Sequence, residues 1–141
     1  METKALVLDS SVIIKWFTQE ENRAEAIQIR EKFVNGEIEI AVPDLILYEI
    51  ANALRFNPNF DSKDVEEAIE SISEMDLNII VPLSSTMKKA IDFAFSKNIT
   101  IYDAFYISLA SELEFTFVTA DKDLYNKLKD LNFISLLGEK I

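Results

Sequence analysis

Ala5-Leu-Val-Leu-Asp9 is an uninterrupted apolar run that ends in a carboxylate. Such a run is typical of a parallel strand that is buried on both faces. Similar short strands are predicted further along the chain, at residues 38–42, 78–81, 115–119 and 133–137. Helical segments separate successive strands, which favours right-handed crossovers and a mostly parallel sheet covered on both sides. The sequence therefore predicts an α/β fold.

Helical periodicity and capping residues predict the segments between the strands to be helical. Their expected ranges are 10–17, 21–34, 44–54, a segment that begins at residue 61 or 62, 84–96, 100–113 and 121–131. We expect Ser10 or Ser11 to cap the first of these helices, and Ala24, Ile27 and Phe33 to face inward from the second. In the fourth, one apolar face is expected to carry Val65, Ala68, Ile69 and Ile72.

The length and composition of the chain limit the class of protein. The 141 residues suit a single domain, 1–141, with one hydrophobic core. No stretch of eighteen apolar residues occurs, so we expect no membrane span. The N-terminus lacks the layout of a signal peptide, and cysteine is absent, so that no disulfide framework is possible. These features favour a cytoplasmic protein.

The chain also lacks histidine, which excludes Ser-His and Cys-His nucleophiles and leaves a structural zinc site very improbable. Carboxylates are abundant, with 25 Asp and Glu against 14 Lys and Arg, and the formal net charge is -11. That charge is unsuited to binding nucleic acid, because affinity for phosphates comes mainly from Lys and Arg. Clustered carboxylates that bind metal ions would convert one patch of this surface into an anion-binding site.

Two acids follow predicted strands. Asp9 ends the first strand, and Asp121 follows the strand at 115–119. In an open α/β sheet, sites form beyond the carboxyl ends of strands, where the strand order reverses. Each acid could instead cap the helix that follows it, since Asp accepts hydrogen bonds from backbone N–H groups there. Taken singly, capping is the more frequent role.

Glu49 lies within the apolar stretch from Leu45 to Leu54, where the other polar residue is Asn52. The two are three residues apart and share one helical face. We expect this helix to be buried nearly all round, so an isolated carboxylate in it would cost several kcal/mol or shift its pKa strongly. Glu49 therefore needs either a metal ion or a buried Lys or Arg as its partner.

Asp103 stands in Thr100-Ile-Tyr-Asp103, a pattern that also predicts a capping box with Thr100 as the cap. If Asp9, Glu49, Asp103 and Asp121 converge on one cleft, their charges oppose folding. Two such charges about 5 Å apart repel by roughly 3 kcal/mol at an effective dielectric constant near 20. Ligation by oxygen alone, without His or Cys, selects Mg²⁺ or Mn²⁺.

These residues resemble the PIN domain, and within it the VapC-type toxins of toxin–antitoxin pairs. The pieces that carry the resemblance span the whole chain and occur in the family's order: Leu8-Asp9-Ser-Ser-Val12, Leu45-Ile-Leu-Tyr-Glu49-Ile-Ala-Asn52, Tyr102-Asp103-Ala-Phe-Tyr106-Ile-Ser-Leu-Ala110 and Phe117-Val-Thr119-Ala-Asp121-Lys-Asp-Leu124. The resemblance implies a three-layer α/β/α sandwich around a five-stranded, mostly parallel sheet in the order 3-2-1-4-5.

The resemblance also implies a function. The chain would be an endoribonuclease in which Asp9, Glu49, Asp103 and Asp121 hold one or two Mg²⁺ or Mn²⁺ ions. Its expected partners are an RNA substrate, a cognate VapB-type antitoxin and a second copy of itself in a homodimer. Secondary site residues would be Ser11, Asn52, Thr119, Asp123 and, as a phosphate contact, Lys15. Asp123 could equally be a solvated residue of a first helical turn, and we expect Trp16 and Phe17 to pack in the core or in a dimer.

Other functions agree less well with the sequence. A phosphatase of the haloacid dehalogenase type needs Asp-x-Asp, but position 11 is Ser, and a receiver domain needs acidic residues at spacings that are not found. Two alternatives within the same fold stay open, namely a stand-alone RNA-processing nuclease and a PIN-like module that binds RNA or protein without cutting.

Overall fold

The computed structural model describes residues 4–139, in which strands and helices alternate. The strands are β1 (Lys4–Leu8), β2 (Ile38–Pro43), β3 (Asn78–Ile80), β4 (Thr116–Thr119) and β5 (Ile134–Leu136). The helices are α1 (Ser10–Ile13), α2 (Arg23–Val34), α3 (Leu45–Arg55), α4 (Ser62–Glu74), α5 (Ser84–Lys97), α6 (Ile101–Leu113) and α7 (Lys122–Leu128). A 3-10 turn, Ile14–Trp16, continues α1.

All the strand pairs are parallel, and the strand order is β3-β2-β1-β4-β5. This confirms the predicted α/β sandwich and its order 3-2-1-4-5. The order reverses between β1 and β4, whose registers align Leu8 with Val118. The carboxyl ends of these two strands therefore meet at one edge of the sheet, where Asp9 follows β1 directly and Asp121 follows β4 after Ala120.

Helices cover both faces of the sheet, because right-handed crossovers place α1 to α4 on one face and α5 to α7 on the other. Helix α6 packs across β1, β2 and β4 and pairs along its length with α5. The central strands are buried: Val7, Leu8, Phe117 and Val118 have no exposed surface. Helix α4 presents Ala68 and Ile72 to this core, with Val65 and Ile69 partly buried beside them, as predicted.

Several local predictions were wrong. Asp9, rather than Ser10 or Ser11, caps α1, because its carboxylate accepts a hydrogen bond from the Ser11 backbone N–H. Helix α2 begins at Arg23 and turns Ala26 and Ile29 inward, which leaves Ala24 exposed, while Ile27 and Phe33 pack partly buried against the core as predicted. Helix α7 ends at Leu128 instead of residue 131.

The apolar composition of α3 suggested a helix buried nearly all round, but the structure shows that one of its faces is exposed. Ile46, Ile50 and Leu54 are fully buried, but Tyr48 and Asn52 lie on an exposed face. Helix α3 is therefore amphipathic, and the composition did not indicate this because its exposed face carries an aromatic residue, Tyr48. Within residues 4–139, a membrane-crossing helix is not found, because none of the helices is both long and apolar enough.

Candidate metal centre

Asp9 lies where β1 ends and α1 begins, and only 5% of it is exposed. Its Oδ1 accepts hydrogen bonds from the Ser11 backbone N–H at 3.1 Å and from the Ser11 hydroxyl. Its Oδ2 accepts a hydrogen bond from the Thr119 Oγ1 at 2.6 Å. Both oxygens of this buried carboxylate are therefore oriented by short hydroxyl side chains.

The same two hydroxyls connect β1 to β4. Ser11 Oγ accepts a hydrogen bond from Ala120 N at 2.8 Å, and Thr119 Oγ1 accepts one from Asp121 N at 3.0 Å. The two hydroxyl oxygens are 3.3 Å apart. Ser11 and Thr119, which the resemblance suggested as secondary site residues, thus both contact Asp9 and the backbone that leads into Asp121, and their role in a site stays a prediction.

Glu49 is half-buried on α3, and its side chain contacts α6. The Tyr106 hydroxyl donates a hydrogen bond to Glu49 Oε1 at 2.5 Å. The predicted partner of Glu49 was a metal ion or a buried Lys or Arg, and the hydrogen bond to a tyrosine hydroxyl was not foreseen. This contact joins α3 to α6 at the edge where β1 and β4 end.

Asp103 lies in the first turn of α6, and Asp121 is the residue just before α7. The Asp103 backbone N–H donates to Thr100 Oγ1 at 3.0 Å, as expected of a capping threonine. Asp121 caps α7 by accepting from Leu124 N at 3.1 Å. Both acids line an open cavity of about 350 Å³, together with Lys127. The alternative prediction that Asp9 and Asp121 cap helices is therefore correct, and this capping does not prevent the acids from lying at the same edge of the sheet.

Burial and, to a smaller extent, the charge of a neighbouring acid raise the pKa values of Asp9, Glu49 and Asp103. Burial raises the pKa of Asp9 to about 7, against hydrogen bonds from Ser11 and Thr119, and the charge of Asp103 adds to the rise. Burial also raises the pKa of Glu49, again with a contribution from Asp103. The pKa of Asp103 is raised by its own burial and then by the charge of Asp121. The four acids therefore form one electrostatic group, with Asp103 linking the others.

The donor chemistry of this group fits a divalent ion. Carboxylate and hydroxyl oxygens are the ligands of Mg²⁺ and Mn²⁺, and the chain has no His or Cys to favour another metal. In the part of the chain that the structure describes, no three acidic side chains are close enough together to form a preassembled metal cage. The acids thus match the ion in chemistry and charge, while their spacing is wider than that of a closed coordination shell.

The remaining predicted residues are more dispersed. Asp123 is exposed on the first turn of α7 and lines the same cavity as Asp103 and Asp121. Asn52 is exposed on α3. Lys15, expected to contact phosphate, is buried, and its Nζ lies 3.8 Å from Glu20 Oε1. Trp16 is 2% exposed and donates to the Ala26 carbonyl at 2.9 Å, as a core residue does.

Two residues at the site were not singled out from the sequence. Tyr106 belongs to a motif that carries the resemblance, but no role was predicted for it. Its burial and the charge of Glu49 raise the pKa of Tyr106, so its hydroxyl stays protonated and acts as a donor. Lys127 lines the acidic cavity and donates to the Asn98 carbonyl at 3.0 Å. Its position four residues before the end of the predicted helix gave no indication of a role at the site, whereas the spacing of Tyr106 one turn after Asp103 could have indicated a shared face.

Comparisons with known proteins indicate the family of this chain. A model of the PIN domain matches residues 6–129. Ribonuclease VapC3 of Pyrobaculum aerophilum is 28% identical over 130 residues, which cover 89% of this chain and 96% of that protein. A toxin–antitoxin complex from Klebsiella pneumoniae contains a chain with a TM-score of 0.71 at 13% identity, with 96% of this chain and 99% of that chain covered.

A further solved structure is VapC20 of Mycobacterium tuberculosis, described as a sarcin-ricin loop cleaving toxin. It has a TM-score of 0.66 at 10% identity and covers 86% of this chain and 93% of its own. At such low identities, these structures establish the likeness of fold. Because the family model spans most of the sequence and the sheet has the expected order, the chain belongs to the PIN-domain family.

Proposed function

We propose that this chain is a metal-dependent endoribonuclease and the toxin of a VapBC-type toxin–antitoxin pair. The observation that carries the proposal is the electrostatic group of Asp9, Glu49, Asp103 and Asp121 at the switch point of the sheet. Buried carboxyls with raised pKa values, such as Asp9, Glu49 and Asp103, oppose folding when charged, and perturbed groups of this kind concentrate at functional sites. The names of the relatives, a ribonuclease and a toxin–antitoxin complex, support the same activity.

The four acids would hold Mg²⁺ or Mn²⁺, with one or two ions bound. When bound, such an ion lowers the pKa of water to supply a hydroxide and offsets the charge on the attacked phosphate. The chain's own residues supply the orientation, since the Ser11 and Thr119 hydroxyls direct the Asp9 oxygens. This division of labour suits a chain without histidine, because no side chain has to act as a neutral general base.

An RNA cleavage assay tests this proposal. The chain should cut a mixed RNA pool with Mn²⁺ or Mg²⁺ and should lose that activity with a chelator. Asp9→Asn, Glu49→Gln, Asp103→Asn and Asp121→Asn should each abolish most cleavage. Asp92→Asn and Glu70→Gln change exposed acids of α5 and α4 and should cut as the wild type does. Cleavage that persists in chelator, or in Glu49→Gln, would contradict the proposed site.

The proposed antitoxin follows from charge as well as from the relatives. A chain of net charge -11 with an acidic cleft should attract a segment that carries Arg or Lys. We infer a small partner whose basic side chain reaches Asp9, Glu49 or Asp121 and whose apolar residues dock between helices. RNA is the proposed substrate whether the chain is the toxin of such a pair or a stand-alone nuclease.

Co-expression with the neighbouring gene product tests this partner. A stable complex with suppressed RNA cleavage is expected, and replacement of the partner's inserted basic residue by Ala should restore part of the activity. If the neighbour does not bind and the chain alone is harmless to its host, the stand-alone RNA-processing nuclease is the better account.

A further inference from the structure

Tyr106 occupies an unusual position for a tyrosine in the core. Only 1% of the residue is exposed, and its ring packs against Phe117 of β4 with centroids 6.4 Å apart. Phe117 itself is fully buried in the middle of the sheet. The ring is therefore enclosed in the core, and its hydroxyl is held by the hydrogen bond to Glu49 at the site edge of the core.

The Tyr106 hydroxyl is hydrogen-bonded to one of the four acids, Glu49. It donates to Glu49 Oε1 at 2.5 Å, across the gap between α6 and α3. Tyr106 lies three residues after Asp103 on the same helix, so the two side chains share one helical face. One rigid helix thus contributes a carboxylate of the group and the donor that orients a second carboxylate.

We propose that Tyr106 is a positioning residue that orients Glu49 for the divalent ion. This inference rests on the proposed metal-dependent function. A glutamate on a helix has three rotatable side-chain bonds, and a hydrogen bond to one oxygen restricts its rotamers. Such outer contacts commonly change metal affinity by about 10–100-fold when they are removed.

The variant that isolates this contact is Tyr106→Phe, which removes the hydroxyl and keeps the ring against Phe117. By titration calorimetry with Mn²⁺, we expect its affinity to fall by about 10–100-fold. Tyr125→Phe on α7 is the matched control, since the same atom is removed from a half-buried tyrosine elsewhere. The control should bind Mn²⁺ as the wild type does.

A double-mutant cycle separates positioning from general stability. If Tyr106 acts through Glu49, Tyr106→Phe should cause little further loss of Mn²⁺ affinity in a Glu49→Gln background. A purely structural tyrosine would instead lower the melting temperature of both backgrounds and leave the Mn²⁺ affinity of Tyr106→Phe at the wild-type value. That second result would overturn the inference while leaving the proposed nuclease intact.

A measurement on the unmutated chain covers the case in which Tyr106→Phe does not fold. The chain has four tyrosines, so ¹³C labels at the hydroxyl-bearing ring carbon give four resonances. Tyr48→Phe, Tyr102→Phe and Tyr125→Phe assign them. The Tyr106 resonance should move on titration with Mg²⁺, and an unchanged resonance at saturating Mg²⁺ would overturn the inference. If the wild type binds neither ion, the proposed metal site and this inference both fail.

Discussion

At the scale of single residues, the acids of the site combine structural and chemical roles. Asp9 caps α1 and Asp121 caps α7, yet both belong to the electrostatic group. The location explains the coincidence, because a helix that follows a parallel strand begins at the edge where α/β sheets build their sites. A capping hydrogen bond uses one carboxylate oxygen, Oδ1 in both acids, so that capping and metal binding are compatible, and Ser11 and Thr119 keep the Asp9 carboxylate oriented.

The raised pKa of Asp9 predicts how stability depends on pH in chelator. With a folded-state pKa of about 7 against an ordinary 3.8, the folded chain binds more protons than the unfolded chain between those values. The free energy of unfolding therefore gains its full contribution from Asp9 below about 3.8 and loses it as the pH rises through about 7. Each unit of difference in pKa corresponds to about 1.4 kcal/mol.

Urea denaturation at pH 5 and pH 8 measures this contribution. Asp9→Asn should gain stability relative to the wild type at pH 8 and much less at pH 5, whereas Asp92→Asn should follow the wild type at both. An Asp9→Asn variant whose pH dependence equals that of the wild type would contradict the assigned burial effect.

Lys127 is expected to take the role that the sequence had suggested for Lys15. It lines the acidic cavity, and its charge lowers the pKa of Asp103 against the effect of burial. A lysine beside bound metal would contact an RNA phosphate. Lys127→Ala should weaken RNA binding by catalytically inactive Asp103→Asn protein and reduce the salt dependence by about one counterion.

The matched control for that measurement is Lys129→Ala, in the same background. Lys129 is exposed just after α7 and does not line the cavity. Fluorescence anisotropy with a labelled single-stranded RNA over a range of salt concentrations gives, for each variant, the slope of the logarithm of the binding constant against the logarithm of the salt concentration. Equal slopes for the two variants would remove Lys127 from the phosphate contacts.

At the scale of elements, the pairing of α5 with α6 sets the position of Asp103. Three alanines, Ala90, Ala94 and Ala104, are buried between these helices. Ser108 donates to the Thr86 carbonyl at 2.9 Å across the same contact. Small side chains let the two helix backbones approach closely, and α6 in turn carries Asp103 and Tyr106 to the sheet edge.

Ala90→Leu should therefore overpack this contact. Insertion of three carbon atoms into a packed core typically costs about 1–3 kcal/mol. Thermal denaturation is expected to show a lower melting temperature for Ala90→Leu, while Ala24→Leu on the exposed face of α2 should leave it nearly unchanged. An unaffected Ala90→Leu would mean that the two helices separate easily.

The elements were largely predictable because strands and helices have different apolar periods. The strand order came from the resemblance, and the acids stood out because Glu49 interrupts an apolar run. Three features depended on tertiary packing and could not be read from local patterns. The inward face of α2 depends on where it docks, the exposed face of α3 carries Tyr48, and the contact between Tyr106 and Glu49 joins residues 57 positions apart.

At the scale of the whole molecule, charge is the dominant feature. A net charge of -11 opposes RNA binding everywhere except where bound cations reverse the local potential. The homodimer expected from the resemblance stays a prediction. Exposed apolar side chains on α5 and α6, among them Phe95 at 84% and Tyr102 at 61%, are a surface that such a dimer could cover.

Divalent metal should stabilise the folded chain by relieving repulsion among the acids. Binding to the folded state alone adds about 2.7 kcal/mol at a free metal concentration one hundred times the dissociation constant. Thermal melts should shift upward with Mn²⁺ and return to the starting value with chelator. Asp103→Asn should reduce the shift, and a folded wild-type chain that shows no shift at millimolar Mn²⁺ would contradict the metal site.

The most direct test of the account is to locate the ion itself. Crystals grown with Mn²⁺ and measured near the manganese absorption edge give an anomalous peak wherever the ion is bound. The account predicts a peak among Asp9, Glu49, Asp103 and Asp121, within about 2–2.5 Å of carboxylate oxygens. A well-ordered structure with these four side chains resolved and no peak between them, or with Mn²⁺ bound only elsewhere, would contradict it.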